Sequence, residues 1–207
     1  EDTYKEFMSA KKFPSFRFFT DSFKNELKFQ GVDASTQRDC LKKCATLKGW
    51  FDLASEDPGM PIGLERKLVI TVGDNIIFTG KYDKVEWEDE KKGLVRILDY
   101  KTGKPDEHLK KIDECASLAS PDCDGYLRQL ICYKLLYEKD KDQSRGKTVS
   151  HGVLVFIEPL KADLRKYGYK KGDYVNYSVE ISEEMVRNIE ELIKKIFSKI
   201  KELNPEI

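Results

Sequence analysis

The stretch from Leu64 to Lys101, LERKLVITVGDNIIFTGKYDKVEWEDEKKGLVRILDYK, decides the fold of this chain. Its apolar residues fall into three runs separated by two polar turns, Gly73-Asp74-Asn75 and a second around Asp89 to Gly93. That pattern predicts strands over Leu64–Val72, Ile76–Trp87 and Leu94–Lys101, joined as an antiparallel meander. Alternation in the third strand puts Val95, Ile97, Asp99 and Lys101 on one face, apolar at one end and carrying an acid and a base at the other. A second turn centred on Lys91 sets Asp83 opposite Asp99. A first turn centred on Asp74 sets Glu65 opposite Asp83. Three carboxylates then lie in a row across the three strands, with Lys101 beside them. A slip of one residue sends any of these side chains to the other face.

Directly opposed residues have Cβ atoms ~4.5–5.5 Å apart. Two carboxylates there repel by roughly 3 kcal/mol at an effective dielectric near 20. Two readings stay open: acids on a solvated hairpin, or acids that share a hard cation such as Mg²⁺ or Mn²⁺, with waters completing its shell. The second supports phosphodiester hydrolysis. Such a cation polarises a phosphate oxygen and lowers the pKa of a bound water. A lysine beside it orients the water or stabilises transition-state charge.

Outward from the meander, residues 1–60 read as a helical N-terminal part. Seven of the eleven phenylalanines lie between Phe7 and Phe29. With Tyr4 and Met8 they either fill the chain's own core or face a neighbouring domain. A helix is expected from Thr36 to about Ala54, closed by Pro58-Gly59. Beyond Gly103 comes an irregular stretch with Pro105, Pro121 and two cysteines. It leads to a helix from about Gly125 to Tyr137 and a charged, mobile loop from Glu138 to Lys147. Gly152–Ile157 and Tyr174–Ile181 read as closing strands, and Ser182 caps a final amphipathic helix. The expectation is a single α/β domain over residues 1–207, with a core at 64–137, a closing part at 150–207, and a mixed central sheet flanked by helices.

Composition narrows the function. Forty per cent hydrophobic residues support a real core, and 37 basic against 37 acidic residues argue against a protein that simply coats nucleic acid. No apolar run is long enough to span a bilayer, and no signal peptide is recognisable. The chain starts at Glu1 without an initiator Met, as expected of a processed product or a domain of something longer. Its five cysteines are odd in number in a lysine-rich chain, so reduced thiols in a cytoplasm are expected. His108 and His151 are given no role. Lys101, Lys104, Lys110, Lys111, Arg128 and Lys134 cluster in sequence, either as a stripe for a phosphate backbone or as a solvated face.

Gly80-Lys81-Tyr82-Asp83, then Asp99-Tyr100-Lys101-Thr102-Gly103-Lys104, then Gln129-Leu130-Ile131-Cys132-Tyr133 resemble, in order and spacing, the GxxD, DYKTGK and QxxxY motifs of PD-(D/E)XK nucleases of the RecB-like branch. The resemblance implies a metal-dependent DNA nuclease, an exonuclease rather than an endonuclease, working with a repair or recombination helicase. It implies Asp83, Asp99 and the backbone carbonyl of Tyr100 as ligands of Mg²⁺ or Mn²⁺, Glu65 as a further acid, and Lys101 as the catalytic lysine. It turns Gln129 and Tyr133, with Arg128, toward DNA. Relatives with an iron–sulfur cluster carry a cysteine group near the C-terminus. No cysteine follows Cys132, so no cluster is expected. Rival readings are a catalytically silent DNA-binding member and a protein-interaction domain.

Overall fold

Both arms of the first expected hairpin break at the same level. The computed structural model describes residues 1–105, 108–120 and 124–204. It divides the first arm into β1 (Pro61–Leu64) and β2 (Lys67–Val72), and the second into β3 (Ile76–Lys81) and β4 (Lys84–Asp89). The registers agree with the expected turns: Val72 pairs with Ile76, Lys67 with Lys81, Trp87 with Val95, and Lys84 with Leu98. The outer halves, β2 and β3, form a two-stranded sheet of their own. The inner halves, with β5 (Leu94–Lys101), β6 (Thr148–Phe156) and β7 (Val175–Glu180), build a five-stranded sheet in the order β1-β4-β5-β6-β7. Only β5 and β6 run parallel. The α/β class and mixed sheet are as expected; the continuous long strands of the meander are corrected to shorter pieces.

The break has local causes. Glu65 is a non-glycine residue in the left-handed region, with φ 47°, a conformation no regular strand continues through. Its N–H donates to the carbonyl of Asp83 at 2.9 Å, which ties the two breaks together. The outer hairpin then lies over the helix α6 (Gly125–Lys139). Gly80 makes that approach possible: a Cβ there would stand 2.5 Å from Cδ1 of Leu136.

Helix α6 is the centre of the main core. Leu127, Leu130, Ile131 and the run Tyr133 to Tyr137 are all buried, against the sheet on one side and the hairpin on another. Asp124 caps it by accepting from the N–H groups of Tyr126 and Leu127. The chain approaches it through α5 (Leu109–Ser117) and leaves it through the short α7 (Lys141–Ser144), while α8 (Glu183–Leu203), capped by Ser182, packs alongside. The expected mobile loop is therefore corrected to a capped helical turn. Asp140 accepts from Gln143 N–H at 3.1 Å, and Glu138 accepts from Val149 N–H at 2.7 Å.

The other sheet face carries Leu98, Val153 and Val155, packed with Trp50 and Tyr100. The N-terminal helices α1 (Asp2–Ala10), α2 (Phe16–Phe29), α3 (Ala34–Thr46) and α4 (Lys48–Glu56) supply this cover. The single helix expected from Thr36 to Ala54 is thus two, divided at Leu47. Phe7, Phe13, Phe16, Phe19 and Phe51 pack ring on ring, so the aromatic N-terminus builds a core of its own, although Phe29 is exposed. Cys40, Cys44 and Cys132 are free thiols. Cys115 is disulfide-bonded, a correction at that position, because an odd count does not forbid a pair within it. Pro121 and Cys123 lie outside the described residues. Among the described residues no helix is long and apolar enough to cross a membrane.

Candidate active site

Strand β5 starts inside the core and ends in a polar ring. Val95 and Ile97 are buried against α6; Asp99 and Lys101 follow on the same face. Their side chains form an ion pair, with the lysine 13% and the aspartate 4% exposed. Lys101 Nζ also donates to Gln129 Oε1 at 2.6 Å. Gln129 Nε2 donates to the Tyr133 hydroxyl at 2.6 Å, and that hydroxyl donates to Asp99 Oδ1 at 3.4 Å. The four residues close a ring in which each polar group answers the next. Gln129 and Tyr133 reach it together because they are one helical turn apart on α6. Burial, with the Asp99 charge second, pushes the Tyr133 hydroxyl well above its ordinary pKa, so it remains a donor.

Asp83 stands at the break between β3 and β4, beside the ring. Its Oδ2 accepts from the N–H of Tyr100 at 2.8 Å. Burial raises its pKa most; the Tyr100 hydrogen bond opposes this, and the charges of Asp99 and Glu65 add to it. Asp83 and Asp99 are thus close enough to repel, but Asp99 is already answered by Lys101. The Glu65 carboxylate pairs with Lys81 instead of completing a row. Arg128 is exposed on α6. Lys134 does not belong to a basic surface stripe. It is buried, donating to the carbonyls of Val149 and Ile181 at 2.9 Å each, with Glu183 at 3.1 Å.

Among the described residues no group of three or more His, Cys, Asp or Glu side chains is disposed to hold a metal ion. Two carboxylates do converge, and both are hard oxygen donors. One of them, Asp83, is driven toward neutrality by burial and by neighbouring negative charge. A hard divalent cation would offset both effects, and it can be held by one or two carboxylates with waters in the remaining positions. The donor set fits such an ion.

Comparison with known proteins supplies the family. A model of the PD-(D/E)XK nuclease superfamily matches residues 12–207, nearly the whole chain. The chain belongs to that superfamily. Its mixed sheet flanked by helices is consistent with a PD-(D/E)XK domain. Among solved structures, one titled "Crystal structure of SSO0001" is similar at 16% identity and a TM-score of 0.36, covering 87% of this chain and 69% of that one. No curated protein matches the chain.

Tyr126 and His108, to which the sequence assigned no role, also stand at this candidate site. The Lys101 ammonium lies 4.5 Å from the Tyr126 ring centroid, and the His108 ring stacks on Tyr126 at 4.2 Å. The signal was helical spacing, since Tyr126, Gln129 and Tyr133 fall at i, i+3 and i+7 on one face of α6. His151 lies elsewhere, paired with Glu88 at 2.9 Å.

Proposed function

We propose that this chain is a single nuclease domain of the RecB-like branch, a deoxyribonuclease that hydrolyses DNA phosphodiester bonds with Mg²⁺ or Mn²⁺. The observation that carries the reading is the closed ring of Asp99, Lys101, Gln129 and Tyr133 with Asp83 at its edge. Asp83, Asp99 and the backbone carbonyl of Tyr100 are the residues assigned to hold the ion. Glu65 tunes Asp83 through its charge. When bound, a divalent ion supplies Lewis acidity and an acidified water.

The chain's own residues do the rest. Lys101 presents a positive charge where the scissile phosphate gathers negative charge. Gln129 and Tyr133 fix the direction of that ammonium, and Tyr133 keeps a donor on Asp99. Arg128, exposed on the same helix, binds the DNA backbone. The motifs favour cleavage from DNA ends, with a helicase domain or subunit as partner in repair or recombination.

The test is incubation of the purified chain with end-labelled single- and double-stranded DNA in Mg²⁺, Mn²⁺ or chelator. Cleavage is expected with either ion, none with chelator, and none in a folded Lys101→Ala protein. Undiminished cleavage by Lys101→Ala would remove the catalytic assignment.

A further inference from the structure

We propose that Tyr126 is a positioning residue that holds the Lys101 ammonium, and that Gly103 is required because it leaves room for the Tyr126 hydroxyl; this rests on the nuclease reading above. A lysine ammonium has three N–H donors. Asp99 and Gln129 are two of the partners of Lys101. The third is the face of Tyr126, 4.5 Å from Nζ to the ring centroid, within the range of cation–π attraction. With Lys101 only 13% exposed, water has little access to replace it.

The ring is itself held. Tyr126 N–H donates to the buried Asp124 carboxylate at 2.8 Å. His108 stacks on the ring at 4.2 Å and 36°, and its Nδ1 lies 3.6 Å from Asp124 Oδ2. Phe156 borders the ring at 6.4 Å. At Gly103, two residues past Lys101, a Cβ would stand 2.9 Å from the Tyr126 hydroxyl oxygen. Gly103 does not have a positive φ, so its lack of a side chain matters for space and not for backbone conformation.

The three partners differ in what their loss costs. Turning Lys101 away from Asp99 parts a buried ion pair, and turning it away from Gln129 removes the donor to that part-buried amide oxygen; both are costly. Turning it away from the Tyr126 ring leaves no orphaned acceptor. The ring therefore aims the ammonium without engaging an N–H in a conventional hydrogen bond, so it can stay in place while the third N–H donates to an arriving phosphate oxygen.

Five full-length proteins test this: the parent, Tyr126→Phe, Tyr126→Leu, Gly103→Ala, and Gly103→Ala with Tyr126→Phe. Two readouts are taken, DNA cleavage with Mn²⁺, and the rate at which an amine-acylating reagent modifies Lys101, followed by mass spectrometry. Tyr126→Leu should lower kcat roughly two- to thirtyfold, the range a cation–π contact supports, with KM changed less than about twofold. It should also speed acylation of Lys101. Tyr126→Phe keeps the ring and should restore both. Gly103→Ala should lower kcat and speed acylation, and removing the hydroxyl in the double variant should reverse both. Parent-like kcat and acylation in Tyr126→Leu would overturn the proposal, as would a double variant no better than Gly103→Ala. A parent that cleaves no DNA sinks the nuclease reading instead, and the acylation rates then decide the Tyr126 contact alone.

Discussion

Lys101 changes what removing Asp99 must do. Two acids facing each other without a counter-charge would make Asp99→Asn neutral or stabilising in the metal-free protein. With Asp99 paired to a lysine that is itself largely buried, that substitution leaves Lys101 with too little negative charge. Asp99→Asn is expected to cost about 1–3 kcal/mol in chelator. Asp83→Asn, which removes a half-buried charge whose anchor is a backbone N–H, should be neutral or stabilising there. Thermal melts of both variants decide between the two arrangements, and a stabilised Asp99→Asn would restore the unpaired one. At Cys132, burial pushes the thiol up to about 11. Only the thiolate is nucleophilic, so near pH 8 Cys132 should alkylate far more slowly than Cys40, and equal rates would contradict its surroundings. The three charged residues were legible in the sequence because strand alternation alone places Asp99 and Lys101 on one face. Their partners Tyr126, Gln129 and Tyr133 share a visible helical spacing, but only tertiary packing brings that face to β5.

At the level of elements, both turns and both registers could be read, and the broken arms were not. Neither break carries a glycine or proline; their trace is the polar run Glu65-Arg66-Lys67 and a change of apolar phase from Ile76, Phe78 and Tyr82 to Val85 and Trp87. The interruption comes from a left-handed Glu65 and from the pull of α6 on the outer hairpin. Gly80 is the visible trace of that packing. Gly80→Ala should destabilise the protein by about 1–3 kcal/mol through the clash with Leu136, measured by denaturant unfolding; parent-like stability would mean that β3 stands clear of α6. Lys134 offers a second test, since its ammonium bridges the start of β6 and the end of β7 through two carbonyls. Lys134→Met fills the same space but leaves both acceptors without this donor. It should cost about 2–4 kcal/mol, without changing the salt dependence of DNA binding as loss of a phosphate contact would. A weakened salt dependence in an otherwise stable protein would return Lys134 to the surface.

For the whole molecule, the formal net charge is zero, and the proposed function gives a divalent ion the acid pair as its site. Mn²⁺ at a hundredfold excess over its Kd should stabilise the fold by about 2.7 kcal/mol. For a chain of this length that is roughly 5–10 °C in Tm. Asp83→Asn and Asp99→Asn should lose most of that shift, and an unchanged shift in both would place the ion elsewhere. The helical N-terminal layer was expected, as was the mixed sheet. The order in which its strands assemble follows from one pairing, β6 lying parallel to β5, Lys101 beside Phe156. A hairpin partner for β5 is already made when Lys101 leaves the ribosome, but its second neighbour is not. Until Phe156 has been synthesised, the strand that carries Asp99 and Lys101 is a sheet edge with an open row of N–H and C=O groups, prone to pair with another chain. Long-range parallel pairing is also slow to form. A nascent chain stalled before β6 should therefore aggregate through this strand, and the candidate site on β5 gains its full sheet only once Phe156 has been synthesised.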